Sequence, residues 1–270
     1  MRVAMAIAGS DSSGGAGIQA DLKTFQALGV FGTSAVTAVT VQNTQKVYGI
    51  QEMGPQIVHD QISCLFADMP IHAVKIGMVA GVGLIEAIAE ALNAVDPLPP
   101  VILDPVMISK SGYALLQPEA QAALVRHLFP LARVVTPNLP EAEALLGRKI
   151  DTINGMKAAA KEICALGADR VVIKGGHLGQ GDATDVLYDG KSYKMLTSKR
   201  INTVNTHGTG CTFSSSIAAY MARGKTFTDA VPLAKTYITG AIEHALSLGK
   251  GCGPTHHFFD LYRRANMEAV

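Results

Sequence analysis

Short, largely apolar runs alternate with segments of helical period along most of the chain. VAMAIA (3–8), TSAVTAVTV (33–41), AVKIG (73–77), VILD (101–104), ARVVT (132–136) and RVVIKGG (170–176) predict strands. Between them Ile18, Leu22, Phe25 and Leu28 recur at helical spacing, as do Val58, Ile62, Leu65 and Phe66. Further helices are predicted at 84–94, at about 118–129 and from Leu139 onward. Strands that are apolar without alternation are covered on both faces, and a repeated strand-then-helix order favours parallel pairing. The pattern therefore predicts an α/β fold, a parallel sheet between helical layers. Residues 184–189 and 192–198 predict a hairpin around Asp189-Gly190, a pair suited to a type I′ turn. After it the chain turns helical, at about 211–223, 228–248 and 257–266. No repeat or long Pro/Gly/Ser linker divides the sequence, so a single domain over residues 1–270 is expected. Ligands of open sheets bind beyond the carboxyl ends of the strands, which gives weight to the polar residues that directly follow each apolar run.

Composition narrows the function classes. With 23 Lys+Arg against 22 Asp+Glu the net charge is +1, which offers no electrostatic attraction for nucleic acid or an anionic membrane. At 48% hydrophobic and 17% charged residues, the chain can bury a large core. Cys64, Cys164, Cys211 and Cys252 lie far apart, without the close pairs of a metal site or a disulfide framework, and suit a reducing cytoplasm. The apolar run Val3 to Ala8 is too short for a signal-peptide core, and Lys75, Glu86 and Glu90 interrupt the most apolar third, so a cytoplasmic protein with no membrane partner is expected.

Three polar segments carry candidate chemistry. In the loop AGSDSSGGAGIQADLKT (8–24), Gly15 to Ala20 fits the GxGxxG/A dinucleotide pattern, but six residues separate it from the strand end at Ala8, and the next strand ends in Gln42-Asn43 instead of an acid. A nicotinamide site is rejected on both counts. Asp21 falls on the apolar stripe of the following helix, where it either interacts with the first turns of that helix or needs a partner or ligand. Asn138-Leu139-Pro140-Glu141 fits a helix capping box and also sets a carboxylate at a strand's carboxyl end, near Asp104, which closes VILD, and the ammonium of Lys174, which closes VVIK. Two carboxylates and an ammonium on one rim suit a Mg2+-bound polyphosphate. Asn205 to Thr212 opens a helix with Gly208-Thr209-Gly210-Cys211, whose free N–H groups can hold an anion, although the spacing is not that of a P-loop. The Gly-Thr-Gly could equally be a tight turn and Cys211 a small buried hydrophobe. A helix-start thiol can also be lowered from about 8.5, making it a base or a nucleophile. The histidines lack zinc-ligand spacing, with His177 and His207 as phosphate-site neighbours.

AGSDSSGGAGIQADLKTF, AVTVQNT, VKIGM, LDPVM, TPNLPEAE, VIKGGH and NTHGTGCT, in this order, resemble the vitamin-kinase branch of the ribokinase superfamily, most closely its hydroxymethylpyrimidine/phosphomethylpyrimidine kinases of thiamine biosynthesis. The resemblance covers nearly the whole chain. It implies a ribokinase-like three-layer αβα sandwich with a mainly parallel central sheet, ATP and Mg2+, a homodimer, and phosphorylation of 4-amino-5-hydroxymethyl-2-methylpyrimidine and then of its monophosphate. It implies a pyrimidine site with Gln42 on the aminopyrimidine edge and Gly9, Asp21, Met78 and Val106 lining the pocket. Gly208, Thr209 and Gly210 match the anion hole, and Cys211 stands where many relatives place an aspartate base. Asn138 and Glu141 match the NxxE motif near Mg2+ and phosphate, Asp104 the metal-side carboxylate and Lys174 the phosphate-binding lysine.

Two departures bear on substrate. Relatives that handle pyridoxal can carry a further cysteine after the VM segment, where this chain has Ile108-Ser109-Lys110, and that favours the pyrimidine. Val41 precedes Gln42 where many relatives have alanine. The rival readings are a pyridoxal kinase, a hydrolase with Cys211 as nucleophile and His177 or His207 as base, and a non-catalytic pyrimidine sensor. The intact set of Asp104, Glu141, Lys174 and Cys211 argues against the sensor.

Overall fold

The chain begins in β1 (Val3–Asp11), which is buried at nearly every position, as an apolar run without alternation must be when both its faces are covered. The structure is a computed structural model that describes residues 1–107, 116, 118–179 and 181–267. After β1 come α1 (Gly17–Ala27), β2 (Phe31–Gln42), β3 (Val47–Glu52), α2 (Pro55–Asp68), β4 (Ile71–Ile76), α3 (Val82–Asn93) and β5 (Val101–Leu103). Next are α4 (Pro118–Ala123), which runs on through a π turn and a 3-10 turn to Leu131, then β6 (Val134–Val135), α5 (Leu139–Leu146), α6 (Ile153–Ala165) and β7 (Val171–Ile173). The hairpin β8 (Ala183–Tyr188) and β9 (Tyr193–Ser198) precedes α7 (Thr209–Ala222), α8 (Phe227–Glu243) and α9 (Phe259–Arg264).

Among the described residues these strands form one nine-stranded sheet in the order β3-β2-β1-β4-β5-β6-β7-β8-β9. Pairing is parallel from β2 through β7, while β3 on one edge and the β8-β9 hairpin on the other are antiparallel. Strand alternation divides the core between the faces. Met5, Ile7, Val74, Ile76, Val101 and Leu103 pack with α2 to α6. Ala4, Ala6, Ala8, Ala73 and Ile102 face α1, α7 and α8. The alanines on this second face let α1 and α7 approach the sheet closely.

Several expectations are corrected in detail. The edge strand β3 was not predicted, because VYGIQE is mostly half-exposed and has no apolar period. The helix expected from Leu139 is two helices: α5 ends on Gly147 in the left-handed region (φ 65°), and Thr152 caps α6 by accepting from Gly155 N–H. The helix expected over 228–248 stops at Glu243. Among the described residues no helix is long and apolar enough to cross a membrane.

Candidate active site

The carboxyl ends of the parallel strands gather nearly all of the motif residues. Asp11, the last residue of β1, bends the first glycine loop around its carboxylate. Its oxygens accept from Ser13 N–H and Oγ (both 2.8 Å), Gly15 N–H (3.2 Å) and Ala16 N–H (2.8 Å). His207 Nε2 lies 2.7 Å from the same carboxylate, joining this loop to the segment that opens α7. Burial opposes ionisation of Asp11, but the His207 and Ser13 hydrogen bonds hold its pKa down at about 2. The two glycine segments are in close contact. A Cβ on Gly15 would run into the His207 ring, and one on Gly208, which has φ 77°, into the Gly15 carbonyl.

Gln42, at the end of β2, is half-buried beside this junction. Thr40 Oγ1 is 3.2 Å from its amide oxygen, and its amide nitrogen is 3.4 Å from His207 Nε2. Gln42 and His207 line a cavity of about 110 Å³ together with Asn43, Thr44, Lys46 and Gly251. Gly9 and Met78 are in contact, since a Cβ on Gly9 would sit 3.1 Å from the Met78 sulfur. Val106 is half-buried and donates its N–H to the Asp104 carbonyl (2.8 Å). Asp21 differs from the others. It is fully buried beneath the loop, its carboxylate held by Lys75 Nζ (2.8 Å) and Ser215 Oγ (2.5 Å), so its side chain does not line the open pocket.

The charged cluster assembles at the ends of β5, β6 and β7. Lys174 Nζ donates to Asp104 Oδ1 (2.7 Å) and lies 3.9 Å from Glu141 Oε2. Thr136 Oγ1 supports Asp104 (3.2 Å). Asn138 and Glu141 form the capping box, with Glu141 N–H on Asn138 Oδ1 (2.8 Å) and Asn138 N–H on Glu141 Oε2 (2.7 Å). The Asn138 oxygen is therefore already used within the helix start. Burial pushes Glu141 up to about 7, against the pull of Lys174 and with the help of Asp104. Burial works against the Lys174 ammonium, but Asp104 and Glu141 outweigh it and raise its pKa. Gly210 abuts this cluster, because a Cβ there would lie 3.4 Å from Asp104 Oδ2 and 3.6 Å from Lys174 Nζ.

Cys211, in the first turn of α7, corrects the expectation of a lowered thiol pKa. Burial pushes it up to about 11, the Lys75 ammonium lowers it, Asp21 and Asp104 raise it, and the Gly17 N–H on its sulfur lowers it again. The helix terminus does not overcome burial next to two carboxylates. The His207 Nε2 atom is engaged by the Asp11 carboxylate. A larger hollow, about 680 Å³, lies at the opposite ends of β5 to β7. Its Arg133 and Arg170 both bind Asp169, and no motif residue lines it.

Sequence reasoning overlooked Asp11, Ser215 and Lys75 as members of this region. A lysine inside the apolar strand AVKIG was the available signal, since lysines are rarely buried without a partner.

Residues 11–256 match the family model described as phosphomethylpyrimidine kinase. The chain belongs to this family. A hydroxymethylpyrimidine/phosphomethylpyrimidine kinase of Rhizobium meliloti is 49% identical over 95% of this chain and 97% of its own length. Of a bifunctional thiamine-biosynthesis relative, 48% identical, the chain spans about half the length (51%). A solved phosphomethylpyrimidine kinase of Clostridium difficile superposes with a TM-score of 0.79 at 47% identity, covering 90% of this chain and 100% of that one. A Bacillus subtilis pyridoxal kinase solved as an ADP complex superposes with a TM-score of 0.88 at 42% identity, covering 95% and 97%. The sandwich is thus the ribokinase-like fold of the phosphomethylpyrimidine kinase family, and the kinase assignment displaces the hydrolase and sensor readings.

Proposed function

We propose that residues 1–270 act as one kinase domain that transfers the γ-phosphoryl group of ATP to the hydroxymethyl oxygen of 4-amino-5-hydroxymethyl-2-methylpyrimidine and then to the phosphate of the monophosphate product. The observation that carries this reading is the meeting of Asp104, Glu141, Lys174 and the start of α7 at strand ends next to Gln42 and the first glycine loop. Phosphoryl transfer passes through a loose transition state whose catalysis is mainly positioning and charge stabilisation. The Lys174 ammonium neutralises phosphate oxygens. Thr209 N–H is taken by the Thr206 carbonyl (3.3 Å), which leaves the N–H groups of Gly208, Gly210 and Cys211 to hold the transferring group at the positive end of α7. Gln42 donates and accepts with one amide, matching the paired groups of an aminopyrimidine edge, while Gly9, Met78 and Val106 flank the ring. Cys211 accepts the hydroxyl proton in the first step. In the second the nucleophile is already an anion and the base matters less.

Two buried carboxylates facing a single ammonium are a hard-oxygen donor set with surplus negative charge, which fits a phosphate-borne Mg2+. Asp104 and Glu141 would hold it, directly or through its waters, and when bound it would offset phosphate charge. We place the enzyme in the cytoplasm as a homodimer. Free cysteines support the compartment, and exposed Val39, Val41 and Tyr48 on the β2-β3 edge support self-association. Light scattering of the purified chain should report twice the monomer mass.

The test is a mass-resolved assay with MgATP and, separately, the hydroxymethylpyrimidine, its monophosphate and pyridoxal. Mono- and diphosphate products with little pyridoxal phosphate are expected. Product from pyridoxal alone would move the chain to the rival vitamin, a reading favoured by its likeness to the Bacillus subtilis pyridoxal kinase. The segment Ile108-Ser109-Lys110, expected to bear on this choice, lies outside the described residues.

A further inference from the structure

Lys75 belongs to β4, whose alternate residues Val74 and Ile76 enter the core against α2 to α6, so its side chain takes the opposite face, toward α1 and α7. There the small side chains of Ala6, Ala8 and Ala73 leave room for it. Its ammonium is seated above Gly77, where any Cβ would come within 2.6 Å of Nζ. Lys75 Nζ donates to Asp21 Oδ2 at 2.8 Å, and both side chains have 0% exposure. The other Asp21 oxygen accepts from Ser215 Oγ, one helical turn beyond Cys211 on α7. Two buried charges lose more solvation than an apolar pair of the same size would, so stability is a poor reason for their presence. Their position suggests another role. Gly17 N–H meets the Cys211 sulfur, and Asp21 and Ser215 stand one turn further along α1 and α7, so the pair that Asp21 forms with Lys75 lies beside the thiol, where the ammonium opposes the charges of Asp21 and Asp104.

We propose that Lys75 is a positioning residue for Cys211: fixed by Asp21, its ammonium supplies the positive potential that favours the thiolate when the substrate hydroxyl gives up its proton. This rests on the reading of Cys211 as the proton acceptor. In the step served, the thiolate takes the hydroxymethyl proton, the new oxygen–phosphorus bond forms, the bond from γ-phosphorus to the ADP oxygen breaks, and the thiol later releases its proton to solvent. Lys75 keeps all its protons throughout. Burial disfavours its ammonium, but Asp21, then Cys211 and Asp104, outweigh that and hold its pKa above the ordinary lysine range.

The deciding experiment follows alkylation of Cys211 by iodoacetamide against pH, read by peptide mass so that the other cysteines do not interfere. It compares the wild-type chain with the charge-neutral double variant Asp21→Asn/Lys75→Met and with Asp21→Asn alone, with circular dichroism melting as the check on folding. In the double variant the alkylation midpoint should rise by about one pH unit and the first phosphorylation at pH 8 should slow about tenfold, with the second step less affected. Asp21→Asn alone strips the buried ammonium of the carboxylate that keeps it charged, so Lys75 should become neutral and the midpoint should rise as in the double variant. A folded double variant with an unmoved midpoint overturns the proposal, as does an unmoved midpoint in Asp21→Asn should the double variant fail to fold. Cys211→Ala separates the two readings. If it keeps the first-step rate, the base assignment falls and takes the proposal with it; if it loses that rate while the midpoints stay put, only Lys75's role falls.

Discussion

At the residue scale, a thiol near 11 governs how the first transfer should depend on pH. Only about one Cys211 in a thousand is thiolate at pH 8. If that thiolate takes the proton, kcat/KM for the hydroxymethyl substrate should climb about tenfold per pH unit between pH 8 and 10, while the already anionic monophosphate shows a flatter profile. Cys211→Ala should therefore impair the first step by about 100-fold and the second by much less, measured as kcat on each purified substrate. Equal losses would remove the assignment. Single residues were unevenly legible. Asp104, Glu141 and Lys174 each close an apolar strand or open a helix, and parallel strands deliver such positions to one rim. Lys75 is a polar residue in an apolar run, a signal that went unused, and its partner Asp21 is 54 positions away, brought to it only by the packing of α1 on the alanine face of the sheet. Periodicity does not encode that contact.

Among elements, α5 shows the closest agreement between local sequence and local structure. Asn138 and Glu141 occupy the two capping positions, both reciprocal hydrogen bonds form, and Gly147 terminates the helix in the left-handed region. Asn138→Ala should lower unfolding free energy by about 1 kcal/mol in urea titration, whereas Asn138→Asp, which retains a capping oxygen, should lose much less. A larger loss for Asp would point to repulsion from the carboxylates at Asp104 and Glu141. The edge strand β3 was illegible for the opposite reason. Its pairing with β2 comes from backbone hydrogen bonding at a sheet margin, where half-exposed side chains carry no period.

For the whole molecule, acid stability should fall in two stages with distinct origins. Burial, together with Lys23 and His256, lowers the pKa of His257 to about 3 from an ordinary 6.5, so it stays neutral in the folded state and lies 3.0 Å from Thr212 Oγ1. The unfolded chain binds this proton more readily, so its stabilising contribution is complete above pH 6.5 and is lost progressively as pH falls toward 3. Asp11, depressed from 3.8 to about 2, contributes fully above pH 3.8 and loses its contribution as pH falls through 2. Between pH 7 and 4.5 Glu141, raised from 4.5 to about 7, takes up its proton more readily in the folded chain and offsets the His257 loss, so melting temperatures should decline mainly from pH 4.5 to 3, and His257→Gln should flatten that decline; an unchanged slope would count against His257 as its source. The layered architecture was readable because the short apolar runs and helical stripes agree on one arrangement, whereas the strand order, which depends on how each crossover packs, was not.

The junction of Asp11 with His207 joins segments 196 residues apart in the chain, one on the proposed substrate side and one at the helix start proposed to hold phosphate. With Gly15 and Gly208 too close to admit a side chain, the two loops form one mechanical part. A change of shape at either end should therefore be felt at the other. For anyone grafting a new acceptor specificity onto this scaffold, the first loop is not a free cassette: it has to be exchanged together with the His207 segment, as a matched set.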